Sequence, residues 1–318
     1  MHGLFRVLAI LSVLVPGLAA AQYPTKPVRV VVPLLAGGPA DTAARIVGQS
    51  LSQAIGQPVV IENKPGADGV IATQAVLSSP ADGYTLFFGG NSHLVGVPLM
   101  HTSPTFDPVT DFAPISFIGR YAFCLFVHPG IPAKSVAELI AYARANPDKL
   151  NYATSTLVEF MATVQLLKSG GISMVRVPYK GAAQAIPDLV AGRVQVDFAP
   201  LSAGLPHVKE GRLRVLATTL PRRSATAPDV PTMVEAGVPG VTISPWAGIF
   251  GPAKTPKEIV DRLSHELNVV LRLPDVRAQF DKQGFQAEGS TPEALAAILR
   301  EELRTWKEVI RQTGIPQD

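Results

Sequence analysis

"VVPLLAGGPADTAARIVGQSL", residues 31–51, runs from an apolar stretch through a glycine pair into a helical pattern. The run 28–32, "VRVVV", is β-branched and short, the composition of a strand buried on both faces. Beyond the loop, Ala43, Ile46, Val47, Ser50, Leu51 and Ala54 recur at helical spacing and make one small-to-apolar face. Asp41 or Thr42 is placed to cap that helix, and Gly56 suits its C-terminal stop. A glycine-rich turn entering a helix leaves N–H groups free at the positive end of the helix dipole, where anions are favoured. The same pattern also serves as a tight strand-to-helix turn with no ligand. The rest of the chain has to separate the two.

Outward from this unit, strand and helix patterns alternate. "PVVIEN" is followed by the "KPGADG" loop, a helix around Val70–Leu77, and the strand "YTLFFG" after an Asp-Gly turn. "TSPTFDPVTDFAPISFIGRY" is proline-rich and reads as an irregular connection between units. The rhythm resumes at Cys124. Ser135 and Glu138 form a capping box whose helix ends near Asn146-Pro147. "LNYATS" and "MVRVPYKG" each run from strand to loop, with helices over Val158–Lys168 and near Ala185–Ala191. "VQVDFAPLS" and "LRVLATT" are strands bracketing "AGLPHVKEG". Thr255-Pro256 and Thr291-Pro292 open helices in the tail.

Alternation of this kind predicts an α/β fold of two lobes, each with a mostly parallel sheet flanked by helices. The expected division is 22–120 with 246–318 as lobe 1 and 121–245 as lobe 2. In open α/β sheets the ligand lies beyond the carboxyl ends of the strands. The loops expected there are 34–42, 89–94, 153–158, 178–184 and 199–204, nearly all pairing glycine with hydroxyl or amide side chains.

Composition narrows the function. Residues 1–21 carry Arg6, an apolar run Val7–Val15 and Ala19-Ala20-Ala21, the pattern of a secretory signal peptide whose apolar run is too short to span a bilayer. Export to the periplasm is the expectation. Removing Arg6 from a leader without acids lowers the net charge from +3 to +2, which gives no argument for nucleic acid. The single cysteine, Cys124, excludes an internal disulfide and reads as a buried inert thiol. His265-Glu266 lacks the second histidine of a zinc-protease helix, since Val269 stands at that place. No nucleophile elbow, P-loop lysine or dinucleotide fingerprint occurs. No metal site and no cofactor are expected, and the donor-rich loops fit binding better than catalysis.

The stretch "YPTKPVRVVVPLLAGGPADTAARIVGQSLSQAIGQPVVIENKPGADGVIA" resembles the amino-terminal signature of tripartite tricarboxylate transporter substrate-binding receptors, the Bug proteins. "SSPADGYTLFFG", "FDPVTDFAPI", "VPYKGAAQAIPDLVAGRVQVDF", "LPHVKEGRLRVLATT", "PDVPTMVEAGVPG" and "GPAKTPKEIVDRLSHELN" continue the match in order over the mature chain. The resemblance implies a type II periplasmic binding-protein fold with a hinged cleft. It implies a small organic carboxylate ligand, aliphatic or aromatic, and membrane transporter subunits as partners of a monomeric receptor. Presentation of the ligand to a two-component sensor kinase is the alternative, and a secreted enzyme using the same cleft is the rival of a different class.

The first loop then supplies Gly37 and Gly38 for close backbone approach, with Asp41 suited to capping more than to touching an anion. The second supplies Asn91, Ser92 and His93, and the third Thr154, Ser155 and Thr156. Tyr179, Lys180 and Gly181 form the fourth group, where Lys180 either steers an anion or is an ordinary surface lysine. Ser202 belongs to the fifth. Two departures stand out. Relatives carry a Gly/Ser-rich run where this chain has Leu157, Val158, Glu159, Phe160 and Met161, and Ala199-Pro200 replace a polar or acidic pair. These changes read either as ordinary helix-core drift or as a less polar pocket.

Overall fold

The computed structural model describes residues 23–313 apart from Thr242. The leader read at residues 1–21 lies outside them. The first unit is β1 (Val28–Val32), α1 (Pro39–Ile55) and β2 (Val59–Asn63). Val28, Val30 and Val32 enter one core cluster and Val31 another, so β1 is buried on both faces, as its β-branched composition requires. Gly56 closes α1 in the left-handed conformation, φ +69°. Then come α2 (Val70–Leu77), β3 (Thr85–Gly89), a π-type turn over Ser92–Gly96, and α3 (Val97–Met100).

The stretch expected to be irregular contains the longest strand, β4 (Phe112–Tyr121). Its prolines hid a pattern in which Phe112, Ile115, Phe117 and Ile118 are all buried. Only Ala122 separates β4 from β5 (Phe123–Val127), which lies in the other sheet. Next follow α4 (Val136–Ala145), β6 (Asn151–Thr154), α5 (Leu157–Gly170), β7 (Val175–Pro178), α6 (Ala182–Val190) and β8 (Val196–Pro200). The segment read as a link between strands is mostly helix, α7 (Leu201–Lys209), and it leads to β9 (Arg214–Thr218). The chain then returns to the first sheet through β10 (Trp246–Pro252), α8 (Lys257–Val270), α9 (Pro274–Lys282), β11 (Phe285–Ala287) and α10 (Pro292–Thr313). The tail helix expected at Thr255-Pro256 begins one residue later than a threonine cap would place it. Pro256 is the N-cap, and the Thr255 hydroxyl donates to the Pro252 carbonyl instead.

Two sheets result, in the orders β11-β4-β10-β3-β1-β2 and β7-β6-β8-β5-β9. Both are mixed. Pairing is parallel through β2-β1-β3 and β7-β6-β8, where helices make the return, and antiparallel around the strands that cross between sheets. In the first sheet α1, α8 and α9 cover one face, while α2 and α10 cover the other. In the second, α4 and α5 cover one face, and α6 and α7 the other. Each sheet therefore has a helix-covered core on both sides.

The crossover is tied down by hydrogen bonds. Ala122 N–H donates to the Gly284 carbonyl at 2.7 Å, and Leu201 N–H donates to the Ala122 carbonyl at 2.7 Å. Tyr121 N–H donates to the Pro245 carbonyl, which pairs the outgoing and returning chains side by side. Cys124 is fully buried, and burial pushes its thiol up to about 12.

Candidate functional site

The candidate loops all leave the carboxyl ends of parallel strands. Residues 33–38 follow β1 and 90–93 follow β3, so both lie at one edge of the first sheet. Residues 155–156, 179–181 and Ser202 follow β6, β7 and β8 at one edge of the second. The edges meet through α5. A Cβ on Gly96 would collide with Leu157 and lie 3.0 Å from Trp306, so the π-type turn, α5 and α10 interlock. Val158 and Met161 are buried in the same cluster as Leu94, Trp246 and Trp306. These two residues are packing, not pocket wall.

The loop after β1 is built around a carboxylate. Pro39 opens α1 and Gly38 is its N-cap, with no side chain serving as cap. Neither Asp41 nor Thr42 takes that role, because the proline starts the helix earlier than the apolar periodicity showed. Asp41 sits on the third helical residue, only 3% exposed. Its Oδ2 accepts from Gly37 N–H and from Arg45 Nε, each at 2.9 Å, and its Oδ1 accepts from Asn63 Nδ2 at 2.9 Å. Asn63 Nδ2 also donates to the Leu34 carbonyl, and Arg45 donates to Asn63 Oδ1. Burial pushes the Asp41 carboxyl up, but the bonds from Arg45, Gly37 and Asn63 together outweigh it and hold the group below its ordinary value.

Asp41 therefore positions the loop and consumes the Gly37 N–H. Pro39 has no N–H, so the first-turn donors without a carbonyl inside the helix are those of Gly38, Ala40 and Asp41. Gly38 is not a strained glycine: φ is −79°, and an added Cβ would meet only the Leu35 carbonyl, at an ordinary 3.5 Å. Beside these donors Leu35 is 70% exposed.

The loop after β3 is held from the opposite direction. Asn91 is buried and donates to the Ser244 carbonyl at 2.9 Å and to Glu302 Oε2 at 3.4 Å. Trp306 Nε1 donates to the same Glu302 oxygen at 3.0 Å. Burial raises the Glu302 carboxyl, against the lowering effect of these bonds. A Cβ on Gly90 would collide with the Trp246 carbonyl, so only glycine fits there. His93 packs edge-on to Phe87, and its Nδ1 is buried without a partner. Burial lowers its pKa to about 4, so the imidazole is neutral and brings no cation to the site. Ser92 is half-buried at the start of the turn.

In the second sheet, β6 ends at Thr154, whose Oγ1 accepts from Arg176 Nε at 3.0 Å. Thr156 caps α5 in a full capping box with Glu159. Glu159 Oε2 accepts from Ser155 N–H, from the Ser155 hydroxyl at 2.7 Å and from Thr156 N–H at 3.0 Å. The donors of this loop are thus engaged by the chain's own carboxylate. Glu159 is 2% exposed, as is Asp197 on β8, whose Oδ1 has no partner. Burial raises Glu159 to about 7 despite its hydrogen bonds, and burial with the like charge of Glu159 raises Asp197 well above the carboxylate range.

Tyr179 N–H donates to the Thr154 carbonyl, which joins the third and fourth loops. Its hydroxyl donates to Asp188, itself paired with Arg193 at 2.6 Å, and burial followed by that bond pushes the phenol up to about 12. Lys180 is exposed. Gly181 is the N-cap of α6, extended, with nothing within 4 Å of an added Cβ. Ser202 is half-buried in the first turn of α7. Sequence reasoning missed Asn63, Arg45, Asp197 and Glu302. The Asp41–Arg45 spacing of four and the Thr156-x-x-Glu159 spacing carried a readable signal, whereas Asn63, Asp197 and Glu302 gave none. Among the described residues no group of three or more His, Cys, Asp or Glu could hold a metal ion. Two open surface grooves lie away from these loops, one along α8 and the start of α10, the other beside α4, the end of α5 and residues 236–240.

Comparison with known proteins places this geometry. The family described as "Tripartite tricarboxylate transporter family receptor" matches residues 43–315. Protein BugT of Bordetella pertussis is 34% identical over 97% of this chain and 98% of its own. A solved R. palustris protein with adipate shares 35% identity at a TM-score of 0.84, over 92% of this chain and 99% of that one. MatC from Rhodopseudomonas palustris with bound malate shares 29% identity at a TM-score of 0.79, over 91% and 100%. The chain belongs to the tripartite tricarboxylate transporter receptor family. It is a periplasmic solute-binding receptor with the two-lobed type II fold, not an enzyme. No helix among the described residues is long and apolar enough to cross a membrane.

Proposed function

We propose that this receptor captures a small organic carboxylate between its sheets and delivers it to a tripartite tricarboxylate-type transporter. The observation that carries the reading is the start of α1. Gly38 is a glycine that neither backbone strain nor crowding demands, standing as an uncapped N-cap. Its missing side chain leaves the first-turn donors open at the positive end of a 17-residue helix. The exposed Leu35 beside them suits the carbon skeleton of an organic acid. The adipate and malate in two similar proteins support the same chemistry. On this reading the lobes, expected as 22–120 with 246–318 and 121–245, divide at Ala122 rather than before Tyr121, which still ends β4 of the first sheet, and they close about Ala122 and the return into β10.

A thermal-shift screen of the mature protein against a carboxylate library tests this. A ligand at one hundred times its Kd adds about 2.7 kcal/mol to the folded state, a rise in melting temperature of roughly 5 °C or more for a protein of this size. Small-angle scattering of the same complex should show compaction. No shift with any carboxylate would overturn the reading.

A further inference from the structure

The amino terminus of α5 carries its own anion. Three donors converge there, Ser155 N–H, the Ser155 hydroxyl and Thr156 N–H, and one oxygen of Glu159 accepts from all three. The capping box fixes that carboxyl, since Glu159 N–H donates back to Thr156 Oγ1 at 3.3 Å. Asp197 adds a second buried acid on the adjacent strand, with Oδ1 left as an acceptor without a donor. Arg176 is engaged beside this loop, its Nε bonded to Thr154 Oγ1 and its guanidinium stacked 4.0 Å over the Phe160 ring. The start of α5 therefore presents donors that the chain's own carboxyl already occupies.

We infer that Glu159 is a specificity-determining residue that fills the place a second ligand carboxylate would take, so that the ligand turns its single carboxylate to α1 and an uncharged, hydrogen-bond-donating end to α5. The inference rests on the carboxylate-receptor reading above. A second carboxylate brought against the start of α5 would have to displace Glu159 from three hydrogen bonds, and it would meet the charge of Glu159 wherever that group is ionised. A hydroxyl or amide end carries no charge to set against Glu159 and needs none of its three donors. The open amino terminus of α6 at Gly181 can serve a neutral oxygen at the same end.

The test titrates the mature protein with linear diacids of four to eight carbons, each paired with the ω-hydroxy monoacid of the same length. The wild type should bind the hydroxy acid at least about tenfold more tightly than its matched diacid. Glu159→Ala and Glu159→Ser vacate the three donors and should raise diacid affinity about tenfold or more. Glu159→Gln keeps an oxygen on the donors and should leave most of the discrimination in place. A wild type that binds diacids as tightly as hydroxy acids overturns the inference while the receptor reading stands, and it needs no variant to fold. An unchanged ratio in a folded Glu159→Ala or Glu159→Ser protein does the same, as does a Glu159→Gln ratio equal to that of alanine. Absence of binding by every acid overturns the receptor reading and this inference with it.

Discussion

Replacing Glu159 with glutamine should change how stability depends on pH, and the structure sets the sign and the size. The folded protein holds this carboxyl's proton up to about 7, against an ordinary value of 4.5 in an exposed chain. Between those values the folded state binds more protons than the unfolded state, so stability falls as pH rises and is fully reduced above the folded value. A difference of this size corresponds to roughly 3 kcal/mol between the two protonation states, at 1.36 kcal/mol per pH unit. Most of it, about 2 to 3 kcal/mol, is lost between pH 5 and pH 8. Glutamine keeps the capping-box acceptor but cannot ionise. Asp197 remains in the variant, so its own burial contributes to both proteins. Urea unfolding followed by circular dichroism at pH 5, 6, 7 and 8 gives both curves by linear extrapolation. The wild type should lose about 2 to 3 kcal/mol more than Glu159→Gln over that range, and the variant should be the more stable protein at pH 8. Parallel curves would refute the assignment of a buried, proton-holding carboxyl at the start of α5.

Four further outcomes follow from the glycines. Gly38→Val should weaken carboxylate binding at least about tenfold, near 1.4 kcal/mol, with the melting temperature little changed, because the backbone and its neighbours accept a Cβ. Gly56→Ala, at a left-handed helix end away from the loops, is the control: it should cost about 1 kcal/mol of stability and leave calorimetric affinity unaltered. Gly90→Ala drives a Cβ into the Trp246 carbonyl and should destabilise by about 2 kcal/mol or more in chemical denaturation. Gly181→Ala, which meets nothing, should leave stability unchanged in the same assay.

What was legible in the sequence was local. β-branched runs, helical periodicity and the stop at Gly56 follow from neighbours a few residues apart, and they marked β1, α1 and most of the alternation correctly. The order of motifs along the chain was enough to identify the family. β4 escaped because Pro114 within it, and the prolines and turns before it, masked a strand whose partners, β10 and β11, lie more than 120 residues away. The mixed pairing escaped for the same reason, since direction in a sheet is set by which strands cross between lobes. The candidate site divides along this line. Gly37, Gly38 and the Thr156-x-x-Glu159 box could be read from spacing. That Asp41 would be locked by Asn63, that Asn91 would be held by Glu302 across 211 residues, and that Glu159 would face Asp197 were decided only in three dimensions. Hydrogen bonds and like-charge contacts depend on where the folded backbone puts each group, and burial then makes those contacts strong enough to matter.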